Sequence, residues 1–314
     1  MWAAFANTDK DGRCKSLIHY SLVQARREQR IALLFLLPSL QGIVFLNLIP
    51  TLMSLYTSLT DWVYTNGLGN WNFVGLQNFI DLFSDSWFIK SLINTIALTI
   101  ITVPVGIFLA LVIAALIDNF CKDRTAGVVR IALYMPNVCN IVAVSTIWMA
   151  LYSSYGPFTN LVRALGWNDP PRWLADYTWA LPAIMLVMIL AKLGYNVFMY
   201  GAAMSALPSD LYESSAQDGA TGVQQFRKLT IPLLGNTTFF LTVTGIISSF
   251  QAFGYINVMT RGGPVDATYT LVFYIYRLAF DYKRTGYGSA VAVVLFLILL
   301  VITIIQYVHN HKDN

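Results

Sequence analysis

The sequence predicts an all-α, polytopic membrane protein with six transmembrane helices, and three observations carry that prediction. Hydrophobic residues make up 56% of the 314 and charged residues only 11%, against about a quarter charged in an ordinary soluble domain. Six stretches approach the roughly 20 apolar residues that a bilayer core requires: 31–59, 88–117, 131–152, 178–203, 233–256 and 287–308. None of the 16 acidic residues falls inside them.

The elements follow in order. Residues 1–30 form a basic N-terminal arm ending in "QARREQR" (24–30), which reads either as an anchor at anionic headgroups or as an interfacial helical elbow. The first span starts at 31 without a small-residue cleavage pattern and is longer than a signal-peptide core, so it is expected to remain as a spanning helix. Pro104 in the second span and Pro136 early in the third remove an amide donor and crowd the preceding turn, so they should kink or begin their helices. The connecting segments 60–87, 153–177 and 257–286 are rich in Trp, Tyr, Gly and Pro. Trp62, Trp71, Trp87, Trp173 and Trp179 read as headgroup-level anchors, or else as part of a docking surface for an external partner. "TRGGPVDAT" (260–268) reads as a turn returning over the mouth of the bundle. Residues 31–308 thus make one membrane domain, and 309–314 a short tail.

Basic residues set the orientation. Lys10, Arg13, Lys15, Arg26, Arg27, Arg30, Lys122, Arg124, Arg130, Arg227, Lys228 and Lys312 fall on one side. The other side holds Arg163, Arg172, Arg261, Arg277, Lys283 and Arg284. By the positive-inside rule both termini are cytoplasmic.

Several function classes drop out. Cys14, Cys121 and Cys139 are odd in number and far apart, and they read as free thiols rather than a zinc or disulfide framework. His19, His309 and His311 lie near the chain ends, so no histidine metal site is expected. The net charge of +4 is not gathered into an aromatic-interleaved basic face, so nucleic acid is not an expected partner. The absence of membrane-embedded Asp, Glu or His disfavours proton coupling. Sodium coupling through backbone carbonyls stays open, and an ion-coupled secondary transporter is the rival reading. No phosphate-cradling G-x-x-x-x-G-K-[ST] loop is present, so ATP hydrolysis is not expected of this chain.

Between the fourth and fifth spans lies a soluble-looking segment, "YESSAQDGATGVQQFRKLTIPLL" (212–234). Residues 205–232 read as a cytoplasmic helix-turn-helix. Asp210 with Glu213, and Thr221 with Gln224, have capping-box spacing. Gly219 suits a helix end with positive φ, and Pro208 and Pro232 punctuate both sides. Leu211, Ala216, Val223 and Phe226 offer a small apolar face, either for a partner or for the chain's own spans.

Within the spans, the polar and aromatic groups Tyr195, Asn196, Ser248, Ser249, Phe250, Gln251 and Phe253 suit a sugar, whose hydroxyls take hydrogen bonds and whose ring face stacks on aromatics. Helix-to-helix hydrogen bonding and core packing are the plain alternatives. Lys192, deep in the fourth span, either faces a cavity or snorkels to an interface.

The segment resembles a known signature. Glu213, Gly219, Leu229, Ile231 and Pro232 match the spacing of the EAA loop (E-A-A, three residues, G, nine residues, I-x-L-P) of permeases in binding-protein-dependent ABC importers. Ser214 and Ser215 replace the usual alanines, and Leu229 and Ile231 exchange aliphatic types. "FVGLQNFIDLF" (73–83), "SLINT" (91–95), "ALPSDLYESSAQDGA" (206–220), "MTRGGP" (259–264) and "YGSAVA" (287–292) extend the resemblance to carbohydrate-uptake permeases of the maltose and glycerol-3-phosphate type, MalF-like within a permease pair. The resemblance implies a bacterial or archaeal cytoplasmic membrane. It also implies a second permease subunit, two ATPase subunits or domains that bind ATP and Mg, and an extracytoplasmic solute-binding protein that delivers a carbohydrate. It places Asp210, Glu213, Ser214, Ser215, Asp218, Gly219, Phe226 and Pro232 at the ATPase contact, and Lys192, Tyr195, Asn196, Ser249, Phe250, Gln251 and Phe253 on the substrate path. Glycerol-3-phosphate or a related polyol phosphate is the alternative substrate.

Overall fold

A computed structural model describes residues 35–67, 71–121 and 123–312. The basic arm 1–30, with Cys14 and His19, lies outside the described residues. The described chain is helical without a strand, apart from one isolated bridge between Thr60 and Phe73. It divides into two units, residues 1–56 and 57–314.

In the first unit, the helix Phe35–Thr57 (α1) is apolar along its length, with a π turn over Val44–Leu48. The second unit holds α2 (Gln77–Ser84), α3 (Ser86–Phe120), α4 (Asp123–Val138), α5 (Ile141–Leu151), α6 (Pro157–Ala164) and α7 (Ala180–Ser205). These are followed by α8 (Ser209–Gln217), α9 (Gly222–Gln225), α10 (Gly235–Phe250), α11 (Gly254–Met259), α12 (Leu271–Tyr276) and α13 (Thr285–Lys312). Among the described residues five helices are long and apolar enough to cross a membrane, or six if α4 and α5 together make one span.

Three expectations about the spans need correction. The third span is not one helix: α4 and α5 meet at 99°. The Asn140 side chain accepts from the Val142 amide at 2.8 Å, so the chain starts a fresh, capped helix instead of continuing. Pro136 lies inside α4, two residues before its end, rather than at a start. Pro104, by contrast, lies inside the second span as expected, within the continuous helix α3. The fifth span is broken at Gln251–Phe253 between α10 and α11, and Thr270 Oγ1 donates to the freed Ala252 carbonyl at 3.0 Å, which makes the break tolerable in an apolar setting.

The core centres on α7, whose buried residues run its whole length. It packs against α3, α4 and α10. The close approach to α4 depends on Gly194, because a Cβ there would overlap the Leu133 carbonyl. One core cluster gathers Leu98, Ile184, Phe250, Ile256 and Phe273, and a second gathers Ala110, Val197, Tyr200, Leu234 and Leu241.

The start of α3 is held by one carboxylate. Asp85 is its N-cap, accepting from the amides of Trp87 at 2.9 Å and Phe88 at 3.4 Å. Its other oxygen accepts from the hydroxyls of Tyr274 in α12 at 2.5 Å and Tyr287 in α13 at 2.8 Å. Two turns into α3, Asn94 donates to the carbonyls of Ala267 and Tyr269, and Thr95 Oγ1 accepts from the Leu271 amide. Side chains of one helix thereby hold the whole loop 265–271.

Trp173 is not a surface anchor. It is buried, packs with Tyr152, Phe158, Trp167 and Trp179, and donates from Nε1 to Thr159 Oγ1 at 3.0 Å. It is the core of the 153–179 segment, because an indole buried with its N–H satisfied favours the interior.

Candidate functional site

Two places in the second unit carry unusual polar chemistry. The first lies between α3, α7 and α10. Thr102, Gly106, Lys192, Asn196, Gly245, Ser248 and Ser249 are among the residues lining a pocket of about 50 Å³. Lys192 Nζ donates to Ser248 Oγ at 2.9 Å, and Thr102 and Ser249 share a hydroxyl–hydroxyl bond of 3.2 Å. Asn196 is 6% exposed and its Oδ1 has no hydrogen-bond partner. A buried acceptor of this kind is costly unless something supplies a donor. The pocket has room for a few waters, well short of the roughly 300–1,000 Å³ of small-ligand sites.

Of the residues singled out in the sequence, four line this pocket: Lys192, Asn196, Ser248 and Ser249. Phe250 instead joins the first core cluster, and Tyr195 packs against the second. Gln251 is exposed at the break after α10. Phe253 faces elsewhere, stacking on Phe273 at 6.2 Å and on Tyr276 at 5.0 Å.

Thr102 and Gly106 were not anticipated. Their signal is the small and polar stripe Ser91, Thr95, Thr99, Thr102, Gly106 at spacings of three and four, which marks one face of a helix. All five are buried. A second stripe, Thr244, Ser248 and Gln251, runs along α10, with the latter two exposed. An exposed polar stripe on a membrane-length helix is turned to water or to another chain rather than to lipid.

The second place is the helix-turn-helix of α8 and α9. Gly219 ends α8 with φ of 81°, a conformation that glycine adopts without strain. Thr221 caps α9 in a full capping box with Gln224. The matching box at Asp210 and Glu213 does not form, because α8 begins two residues earlier than that box requires, with Pro208 at its N-cap and no side-chain bond there. Asp210 therefore lies in the first turn, where a carboxylate still complements the helix dipole.

The two faces of this unit differ. Inward, Tyr212 bonds Thr230 at 3.0 Å, Gln225 Nε2 donates to the Tyr212 carbonyl and to Ser215 Oγ, and Phe226 packs on the second core cluster. Residues of α3 and α7 complete a pocket of about 160 Å³ beside them, with Asp118, Asn119 and Met204 in its wall. Outward, Asp210, Glu213, Ser214, Asp218, Gly219 and Pro232 are exposed, together with Leu211 and Val223. Of the expected apolar face, Phe226 turns to the chain's own spans, while Leu211, Ala216 and Val223 stay uncovered.

The comparisons now bear directly on what this arrangement belongs to. The family described as binding-protein-dependent transport system inner membrane component matches residues 79–312. The chain belongs to that family. It is a multi-pass membrane permease subunit of an ABC importer, not an enzyme, and ATP hydrolysis belongs to a partner ATPase. Among curated relatives, the lactose transport system permease protein LacF of Rhizobium radiobacter is 33% identical over 87% of this chain and 92% of its own. The probable starch degradation products permease AmyD of Thermoanaerobacterium thermosulfurigenes is 31% identical over 89% and 93%. The sn-glycerol-3-phosphate permease UgpA of Yersinia enterocolitica is 30% identical over 75% and 79%. The fold matches a chain of a bacterial ABC transporter that imports the acidic polysaccharide alginate, with a TM-score of 0.81, 23% identity and coverage of 93% of this chain and 99% of that one.

Proposed function

We propose that this permease pairs with a second permease to form the path for a sugar or oligosaccharide handed over by an extracytoplasmic binding protein. The observation that carries the reading is the polar set of Thr102, Lys192, Asn196, Ser248 and Ser249 inside otherwise apolar helices. It offers hydrogen bonds and no buried acid, as a polyhydroxylated solute needs. Relatives named for lactose and for starch degradation products agree with it. The pocket within this chain is too small for a sugar, so the exposed stripe of Ser248 and Gln251 is the wall that a second permease completes.

In this reading, both termini are cytoplasmic and the membrane is the cytoplasmic one. The uncovered face of α8 and α9, with Glu213, Ser214, Asp218 and Gly219, docks on an ATPase subunit that binds ATP and Mg. Ser215, Phe226 and Pro232 shape that face from behind. Displacing the unit moves α7 and α10, the helices it joins, and opens the path by rigid-body rocking.

A second substrate reading rests on Lys192. Among the described residues its ammonium meets a hydroxyl and no carboxylate, which suits an anionic substrate such as a polyol phosphate. The relative named for sn-glycerol-3-phosphate points the same way.

Mass spectrometry of the complex co-purified in mild detergent, followed by uptake of labelled saccharides and glycerol-3-phosphate in vesicles, tests both. A second permease and a P-loop ATPase are expected, with saccharide uptake that survives Lys192→Gln. A chain that purifies alone would overturn the importer assembly. Uptake confined to glycerol-3-phosphate, and lost at least tenfold in Lys192→Gln, would establish the phosphate reading.

A further inference from the structure

A larger cavity lies apart from the polar set just described. Its volume is about 460 Å³, and Asn257, Val258, Arg261, Phe273, Tyr276, Arg277 and Asp281 line it. It lies where the end of α11 faces α12 and the π turn Arg277–Asp281 that follows. In the proposed orientation this is the extracytoplasmic mouth.

The walls have the chemistry of a carbohydrate site. Aromatic rings form one side: Tyr276 packs against Phe253 at 5.0 Å, Phe280 at 5.1 Å and Phe273 at 6.4 Å. Planar polar groups form the other. Arg277 is held by Asp281 at 2.7 Å and by the Tyr282 hydroxyl at 3.4 Å, which fixes its guanidinium. Its Nε is buried without a hydrogen-bond partner among the described residues, and the terminal nitrogens of the fork carry more N–H groups than these two contacts use. Asp281 keeps acceptor capacity, because a carboxylate has about four lone-pair sites, and Asn257 adds an amide.

Backbone geometry places the second arginine. Arg261 has φ of 52° and is followed by Gly262 at 85°. A Cβ on Gly262 would press to 2.6 Å from both Phe273 and Tyr269, so the turn that presents Arg261 depends on glycine packed against the aromatic wall.

We propose that this cavity is an outer subsite that holds one sugar ring of a saccharide before it enters the membrane path. Tyr276, backed by the buried Phe273, takes the apolar ring face, and Arg277, Asp281 and Asn257 take its hydroxyls. The volume falls in the range of about 300–1,000 Å³ usual for small-ligand sites. Phe253, whose ring touches Tyr276, comes two residues after Gln251 in the chain, so the subsite lies close in sequence to the end of the α10 stripe. The proposal rests on the carbohydrate reading above and assigns to it residues outside the polar set between α3, α7 and α10.

The test uses the complete complex, co-purified with its partner chains and its binding protein and reconstituted in vesicles. Initial uptake rates are measured over a concentration series of labelled glucose, lactose, maltose and maltotriose. Asn257→Ala and Arg277→Gln are each expected to raise KM five- to tenfold with kcat within twofold, while the second permease and the ATPase co-purify as with the unaltered chain. Unchanged KM in both variants would overturn the subsite alone. So would loss of the second permease from the Asn257→Ala complex, which would make the cavity a subunit contact. Failure of the unaltered complex to take up any of the saccharides would overturn the carbohydrate reading, and the subsite with it.

Discussion

At the scale of single residues, Asp85 shows how much one side chain organises. It caps α3 and receives two phenolic hydroxyls from α12 and α13. Burial, followed by the Asp85 bond, pushes the Tyr274 phenol well above its ordinary range, so the phenol stays a donor at any physiological pH. Replacing Asp85 by Ala removes a cap and strands two buried hydroxyls, at an expected cost of about 2–4 kcal/mol. A lowered midpoint in thermal scans of the detergent-solubilised complex is the check, and an unaltered midpoint would contradict the role. Nothing in the sequence marks Asp85 for this, because its phenolic partners lie 189 and 202 positions away. Lys192, by contrast, is conspicuous in the sequence as a cation in an apolar run, and the structure gives it the polar neighbours that its position demands.

At the scale of elements, the helix-turn-helix was the most legible part. Gly219 and the Thr221–Gln224 box are local signals, and both form as local physics dictates. Local spacing failed at Asp210, because where α8 begins is set by Pro208 and the incoming α7 rather than by a four-residue motif. Hydropathy located the spans but not the breaks at Cys139–Asn140 and Gln251–Phe253. Those breaks depend on who satisfies the freed backbone, and that information is nonlocal. Gly219→Val places a β-branched residue at φ of 81° and so distorts the exposed side of the turn. The expected result is at least tenfold slower uptake by the complex with normal membrane insertion of the chain. Uptake at the unaltered rate would remove this turn from the coupling mechanism.

At the scale of the whole molecule, orientation is the claim with the widest reach, since it decides which end is loaded and which is driven. Val223 in α9 and Val265 in the outer loop are each 78% exposed, and they mark opposite sides in the proposed topology. In a background with Cys14, Cys121 and Cys139 replaced, Val265→Cys is expected to react with an impermeant maleimide in intact cells. Val223→Cys is expected to react only after permeabilisation. The reverse pattern would invert the molecule. The candidate sites were only partly readable from sequence at this scale. Lys192, Asn196, Ser248 and Ser249 stand out in the sequence because polar groups are rare in apolar spans, and they line the pocket, whereas aromatic character alone does not say which way the rings of Tyr195 and Phe250 face.

The grip of Asp85 on three helices also fixes where motion is available. Parting α3 from α12 and α13 at that end would break both phenolic bonds and strand two buried hydroxyls, so these ends travel together and act as a fulcrum. From there α3 runs 35 residues, about 50 Å at 1.5 Å per residue, to Asp118 and Asn119 beside the seat of α8 and α9. A tilt of about 10° around the clamped end sweeps the far end through roughly 9 Å on that length. In the proposed mechanism the helix is a lever whose handle lies beside α8 and α9, and a small rotation at the pivot corresponds to a large displacement at that far end.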